Sequence, residues 1–323
     1  MRWSFSQYIT FKECPRKWYF SYKLANVLST KEPIKKEAFY LSKLQSIDAW
    51  RGNLVDKIIS EKIVPSISLK SAISLDQALL NAKERFENEL LFAKEKRWRN
   101  PGAKTSDKNY AAIQNLEEIN TQELLEQAWA DVENAIINYY EMDEVRDLLE
   151  SATYLKPQER LGFKPYGIYV TCMPDLILLY GDDAPLLIDW KVHKYGVKNY
   201  RRQLALYALA LVESKFSKKY PMEFAGVLPT EIRLREVQLL TKNVHKYELA
   251  DFDITEIKNL ISTSAREMEL ALADNDKDFS YLDVPVTDYP EKCQRCSFPS
   301  ICWENSRWEQ EIINQESKQI SFL

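Results

Sequence analysis

The stretch Met173–Lys191, MPDLILLYGDDAPLLIDWK, leaves few choices of fold. Leu176–Tyr180 and Leu186–Trp190 are short β-rich runs, and 181–185 (GDDAP) is turn chemistry between them. The pattern predicts a β-hairpin with a loose turn at the centre of a sheet. Asp175 opens its first strand, and Asp189 and Lys191 close its second. Residues i and i+2 of a strand face the same side, so Asp189 and Lys191 project together, with Asp175 across from them. Two carboxylates beside a lysine suit divalent-metal hydrolysis of a phosphodiester: oxygen ligands hold Mg²⁺, and the ammonium orients water or developing charge. The plainer alternative is that the aspartates are turn or cap residues and that D-x-K occurs by chance.

Around the hairpin the texture is mixed. Gly167–Thr171 reads as a strand, and 199–216 as a helix with Leu204, Tyr207, Ala208 and Leu211 on one stripe. Strands are expected at 223–229, 231–240 and 244–249, and a helix over 253–273 with Asp253 as N-cap. The first half is helical. Residues 1–30 form an aromatic-rich block (Phe11, Trp18, Tyr19, Phe20, Tyr22), and 43–63 repeats Leu44, Ile47, Leu54, Val55, Ile58 and Ile59 at helical spacing. Further helices are expected at 75–97 and 111–150, parted by the loop 97–108. The organisation implied is 1–30, a helical region 31–150, an α/β core 151–275 and a C-terminal segment 276–323. Only 7 of 323 residues are glycine, about 2% against an average near 7%, which favours long helices. No G-x-G-x-x-G and no G-x-x-x-x-G-K-[ST] occurs, so glycine-loop nucleotide binding is excluded.

The five cysteines and the absence of an apolar leader point to a cytoplasmic chain with reduced thiols. The longest uncharged apolar run, 204–212, is half of what a membrane span needs. Cys14 stands alone in ECPRKWYF, while Cys293, Cys296 and Cys302 form C-x2-C-x5-C. Four thiolates suit Zn²⁺ or an iron–sulfur cluster, and spacing decides for neither. Cys172 reads as a buried strand thiol.

The formal net charge of −4 excludes a uniformly basic protein but not local patches. Lys191, Lys194, Lys198, Arg201 and Arg202 run without an acidic residue, interleaved with Tyr195 and Tyr200. Such a strip suits phosphate neutralisation with base stacking. A second basic stretch, Lys94 to Lys108 around Trp98, reads as a solvated loop or as a further nucleic-acid contact. The acidic stretch 117–150 reads as a solvated helix face or as a partner surface. His193 belongs at the site edge, and His245 is structural.

With these residues in hand, the chain resembles the PD-(D/E)XK nuclease superfamily, matching Pro174-Asp175 and Asp189-Trp190-Lys191. It is similar to the RecB-like branch, whose Q-x-x-x-Y helix stands here as Gln203 and Tyr207. That branch also carries G-x-x-x-H; here Gly52 is followed by Asp56 in the histidine's place, a departure that alters the metal ligand or removes it. Glu159 lies where relatives carry an acidic residue. The split cysteine pattern resembles the iron–sulfur branch, which includes AddB-type and CRISPR-adaptation nucleases. The resemblance implies a restriction-endonuclease-like mixed central sheet flanked by helices, with a helical N-terminal insertion. It also implies a [4Fe–4S] clamp on Cys14, Cys293, Cys296 and Cys302 joining the termini. Asp175, Asp189, Asp56 and the Trp190 carbonyl would hold Mg²⁺ or Mn²⁺, Lys191 would be the catalytic lysine, and Gln203 and Tyr207 would line the site. The activity implied is that of a metal-dependent DNA nuclease, an exonuclease on single strands or DNA ends, in repair, recombination or anti-phage defence. Alternatives are a DNA-end-binding or scaffolding subunit of a helicase, integrase or defence complex, and a metal-stabilised interaction protein.

Overall fold

The computed structural model describes residues 1–26, 32–181, 183–193, 200–214, 226–272 and 281–302. The described strands are β1 (Arg2–Trp3), β2 (Tyr154–Pro157), β3 (Leu161–Phe163), β4 (Tyr169–Cys172), β5 (Leu176–Tyr180), β6 (Asp183–Lys191), β7 (Arg233–Gln238) and β8 (Asn243–Tyr247). They make two sheets: five strands in the order β2-β5-β6-β7-β8, and three in the order β1-β4-β3. The larger sheet is mixed, because β6 and β7 run parallel while its other pairs are antiparallel. The expected mixed α/β architecture is therefore present.

The chain divides into two compact units, Met1–Ser4 with Ser46–Thr263, and Phe5–Gln45 with Ser264–Leu323. The first holds both sheets. The buried apolar runs of β5 and β6 are flanked on one face by a helical layer. Trp50, Leu54 and Ile58 from the helix Ile47–Ile58, Ala82 and Phe86 from Leu75–Lys94, and Val132, Ile136 and Tyr139 from Thr121–Glu141 share one core with Leu176, Leu178, Ile188 and Trp190. Ser46 caps the helix Ile47–Ile58, its Oγ accepting from the Ala49 N–H at 3.2 Å. Pro65 has no N–H to continue the ladder, and a π-helical turn at Ile59–Ile63 leads into Val64–Ser68. The expected helix over 111–150 is instead two, Thr121–Glu141 and Asp143–Glu150, with 111–120 outside any helix. Asp143 and Glu144 favour a new helix start because carboxylates complement its N-terminal dipole.

The helix after the hairpin is Arg201–Glu213, buried from Leu204 to Leu211 on every side. Of the strand expected over 223–229, residues 223–225 lie outside the described residues, and 226–229 are not strand. The helix expected from Asp253 begins at Asp251, so Asp253 sits in its first turn. There its Oδ2 accepts from the Ala250 N–H at 2.8 Å.

In the second unit the aromatic block is two helices, Phe5–Glu13 and Pro15–Tyr22. A residue before proline is pushed out of the helical region, and Cys14 is extended (φ −164°, ψ 113°), leaving Pro15 to start the next helix. Phe20 is fully buried against Phe298 (5.5 Å between ring centroids) and Tyr281 (5.6 Å). Arg16 donates to the Val284 carbonyl at 2.9 Å and to the Cys302 carbonyl at 3.1 Å.

The iron–sulfur expectation for Cys14, Cys293, Cys296 and Cys302 is overturned here. All four fall in this unit, but among the described residues no three His, Cys, Asp or Glu side chains are grouped to hold a metal ion. The sulfurs have other partners. Cys14 Sγ accepts from the Lys17 N–H at 3.4 Å as a helix cap, and Cys296 Sγ accepts from the Phe298 N–H at 3.5 Å. Burial raises the Cys296 thiol and lifts Cys302 to about 11. Apolar packing and Arg16 hold the early and late segments of this unit together.

Phe20→Ala should therefore cost about 3–5 kcal/mol of stability, since it removes a buried ring that two aromatic neighbours surround. Urea unfolding followed by tryptophan fluorescence checks this; a loss below about 1 kcal/mol would contradict the packing account.

Candidate active site

The hairpin forms as its side-chain pattern dictates. Leu176 pairs with Ile188, Ile177 with Leu187 and Leu178 with Leu186, with an irregularity before the Tyr180–Asp183 pair. One step beyond Leu176–Ile188, Asp175 meets the end of β6, and its Oδ2 accepts the Trp190 N–H at 2.8 Å. Asp189 is only 1% exposed, and its carboxylate is ion-paired with the Lys191 ammonium on the same strand face. Lys191 Nζ also lies 4.4 Å from the centre of the Tyr200 ring. Burial pulls the Lys191 pKa down, but Asp189 and then Asp175 more than reverse this, so the ammonium stays charged.

The i, i+4 pair on the following helix meets as its spacing requires. Gln203 Nε2 donates to Tyr207 Oη at 2.6 Å and reaches Asp189 Oδ1 at 3.5 Å. Burial, followed by the charges of Asp189 and Asp175, raises the Tyr207 phenol. His193 Nε2 is 2.8 Å from Tyr200 Oη at the edge of this group.

Asp56 comes in from the helix Ile47–Ile58, and Gln158 Nε2 donates to its Oδ2. Burial, together with repulsion from Asp189 and Glu61, pushes Asp56 up to about 6. Burial and the charges of Asp189 and Asp56 raise Asp175 strongly; burial also raises Asp189. Glu159 pairs instead with Lys156 at 3.4 Å, and its neighbour Gln158 makes the contact with the site.

Sequence reasoning passed over three supports. Gln158 follows β2 with φ +47°, a left-handed conformation uncommon for a side chain, and its N–H donates to the Asp175 carbonyl at 3.0 Å. Arg51 pairs with buried Asp131 at 2.5 Å and donates to the Val192 carbonyl at 2.8 Å, one residue past Lys191. Glu236, 1% exposed, stands beside Asp189 in the parallel β6–β7 register. It accepts from Tyr247 Oη at 2.6 Å and Gln238 Nε2 at 2.8 Å. Alternation with buried Leu234 was the available signal for Glu236; Gln158 and Arg51 left none.

The donor set fits a hard divalent cation. Asp56, Asp175 and Asp189 offer carboxylate oxygens against one ammonium, and buried Asp56 Oδ1 has no hydrogen-bond partner. The three carboxylates are not a ready-made ligand group among the described residues. Mg²⁺ is commonly held through one or two carboxylates with waters completing its shell.

The described cations of the basic strip next to the site are committed. Arg201 pairs with Asp253 at 2.5 Å and Arg202 with Glu256 at 2.6 Å; Lys194, Tyr195 and Lys198 lie outside the described residues. In the second stretch Lys96 pairs with Glu117 at 2.6 Å, Lys108 with Glu84 at 3.8 Å, and Arg97 with Glu95. No helix among the described residues is long and apolar enough to cross a membrane.

A model of the PD-(D/E)XK nuclease superfamily matches residues 2–303. No curated protein matches the chain. Among solved structures, one titled "Crystal structure of SSO0001" is 15% identical, with 57% of this chain and 78% of that chain covered, at a TM-score of 0.28. That likeness is too slight to carry an argument.

A carboxyl whose pKa is raised by folding binds its proton more tightly in the native state, so stability falls as pH rises through the interval between the unfolded and folded values. For Asp56 in metal-free protein that interval runs from about 4, the ordinary aspartate value, to about 6. Asp56→Asn should flatten this part of the melting-temperature profile in EDTA and stabilise the protein at neutral pH by about 2–3 kcal/mol. Parallel profiles for the two proteins would show that the Asp56 charge is not under strain.

Proposed function

The chain belongs to the PD-(D/E)XK nuclease superfamily, and on that premise we propose that it is a Mg²⁺- or Mn²⁺-dependent deoxyribonuclease acting on single strands or DNA ends. One observation carries the reading: the hairpin brings Asp175 to the backbone of Trp190 while Asp189 and Lys191 share the adjoining strand face. Asp175, Asp189 and Asp56, with the Trp190 carbonyl, are the groups that would hold the ion. When bound, it would polarise a phosphate oxygen and lower the pKa of a water.

The chain's own residues then have distinct tasks. Lys191, kept charged by Asp189 and Asp175, orients the attacking water and faces the negative charge that develops on the phosphate. Gln203 and Tyr207 fix the Asp189 carboxylate from the helix side. Tyr200 covers the lysine, which limits the water around it. Asp56 supplies the carboxylate where relatives have histidine, a hard donor suited to the same class of ion.

Labelled single- and double-stranded DNA with Mg²⁺ or Mn²⁺ tests the proposal. Lys191→Ala should slow cleavage on the order of 10²- to 10³-fold, and EDTA should abolish it. Cleavage retained in Lys191→Ala would overturn the assignment. DNA binding without cleavage by the wild type would mark a binding subunit instead.

A further inference from the structure

The small sheet β1-β4-β3 has two unlike faces. Trp3, Leu161, Phe163 and Val170 are buried on one. The register sets the alternate residues on the other: Gly162 opposes Thr171, and Arg2 lies beside Tyr169. The same parity brings Arg160 and Lys164 from the ends of β3, and Met173 from the end of β4, to that outer face. Arg2, Arg160 and Lys164 are exposed, Tyr169 is 36% exposed and Met173 is 49% exposed.

The tyrosine is held as a platform. Gly162 has no side chain, and the Tyr169 ring lies over it: a Cβ built on Gly162 would come within 3.0 Å of Tyr169 Oη. Lys164 Nζ stands 6.0 Å from the centre of the same ring. In contrast to Arg201 and Arg202, the three cations of this face make no ion pair among the described residues. Among the described residues no Asp or Glu takes an alternate position of this face. Met173 then leads in two residues to Asp175 of the candidate active site.

The geometry points to this face as a binding track for single-stranded DNA, carrying the part of the strand that extends away from the bond being cut. Unpaired cations neutralise phosphates, and an exposed ring beside a lysine offers a base a surface on which to stack. A duplex would hide the base faces that Tyr169 contacts, so the track favours an unpaired strand. This deepens the nuclease reading and rests on it.

Fluorescence anisotropy with a short labelled oligo-deoxythymidine in EDTA tests the track apart from cleavage, with the same variants then assayed for cutting in Mg²⁺. Arg160→Glu/Lys164→Glu should weaken binding about tenfold or more and reduce the slope of log affinity against log salt by about 1.4, the share of two phosphates. Tyr169→Ala should weaken it about tenfold, while Tyr169→Phe stays within about twofold. Lys70→Glu/Lys83→Glu, an equal charge change on exposed lysines of the same unit, should leave binding unchanged. If the double variant does not fold, Met173→Glu should weaken binding about tenfold by placing a carboxylate on the same face. Wild type that binds and cuts, with the face variants unaltered, overturns the track and leaves the nuclease reading standing. Face-dependent binding with no cleavage by the wild type supports the track and overturns the nuclease reading. Wild type that neither binds nor cuts overturns both.

Discussion

Lys191 faces Asp189 at the end of a central strand, and Asp175 and Asp56 stand close enough to act on the same charges. Three desolvated carboxylates against one ammonium is an arrangement that folding does not favour by itself, because each carboxyl is pushed towards its neutral form. The surrounding fold holds it in place. Arg51, fixed by Asp131, pins the carbonyl just past Lys191. Gln158 accepts a left-handed backbone to serve both Asp56 and Asp175. Residues in sparsely populated conformations persist where the rest of the structure over-determines them, which is the situation of Gln158.

Glu236 extends the same problem by one strand. It is buried beside Asp189, and its charge further raises that carboxyl. Tyr247 and Gln238 each donate to it, so its negative charge has local partners and does not depend on Lys191. The lysine is thereby left to Asp189 and Asp175. Parallel pairing of β6 with β7 makes this possible, since it sets Asp189 and Glu236 side by side.

Much of the hairpin was legible because its information is local: a turn, two continuous apolar runs, and polar residues at fixed offsets. The Gln203–Tyr207 pair was legible for the same reason. Gln158 was not, because the acidic residue of the pair is Glu159 and a one-residue shift puts a side chain on the other face of a strand. The positive φ at Gln158 breaks the very alternation from which the reading would proceed. Glu236 depended on a non-local parallel register. The cysteine pattern differs: spacing reports which thiols are available, but not whether the fold groups them, and among the described residues they form no metal-holding group.

Charge shows the same gap between chain order and space. Arg201 and Arg202 follow the candidate active site in sequence, where chain order alone makes them its nucleic-acid contacts, yet Asp253 and Glu256 of a later helix hold them. An arginine fixed bidentately by a buried aspartate gains little by exchanging it for a mobile phosphate, because the exchange leaves that carboxylate unpaired. Arg2 lies far in sequence from Arg160 and Lys164, but sheet pairing collects all three on one face, with no acid at its alternate positions among the described residues. For a polyanion, an unpaired cation on a rigid strand is worth more than arginines already held by carboxylates, as Arg201 and Arg202 are, so the net charge of −4 does not set the sign of the field beside Asp175.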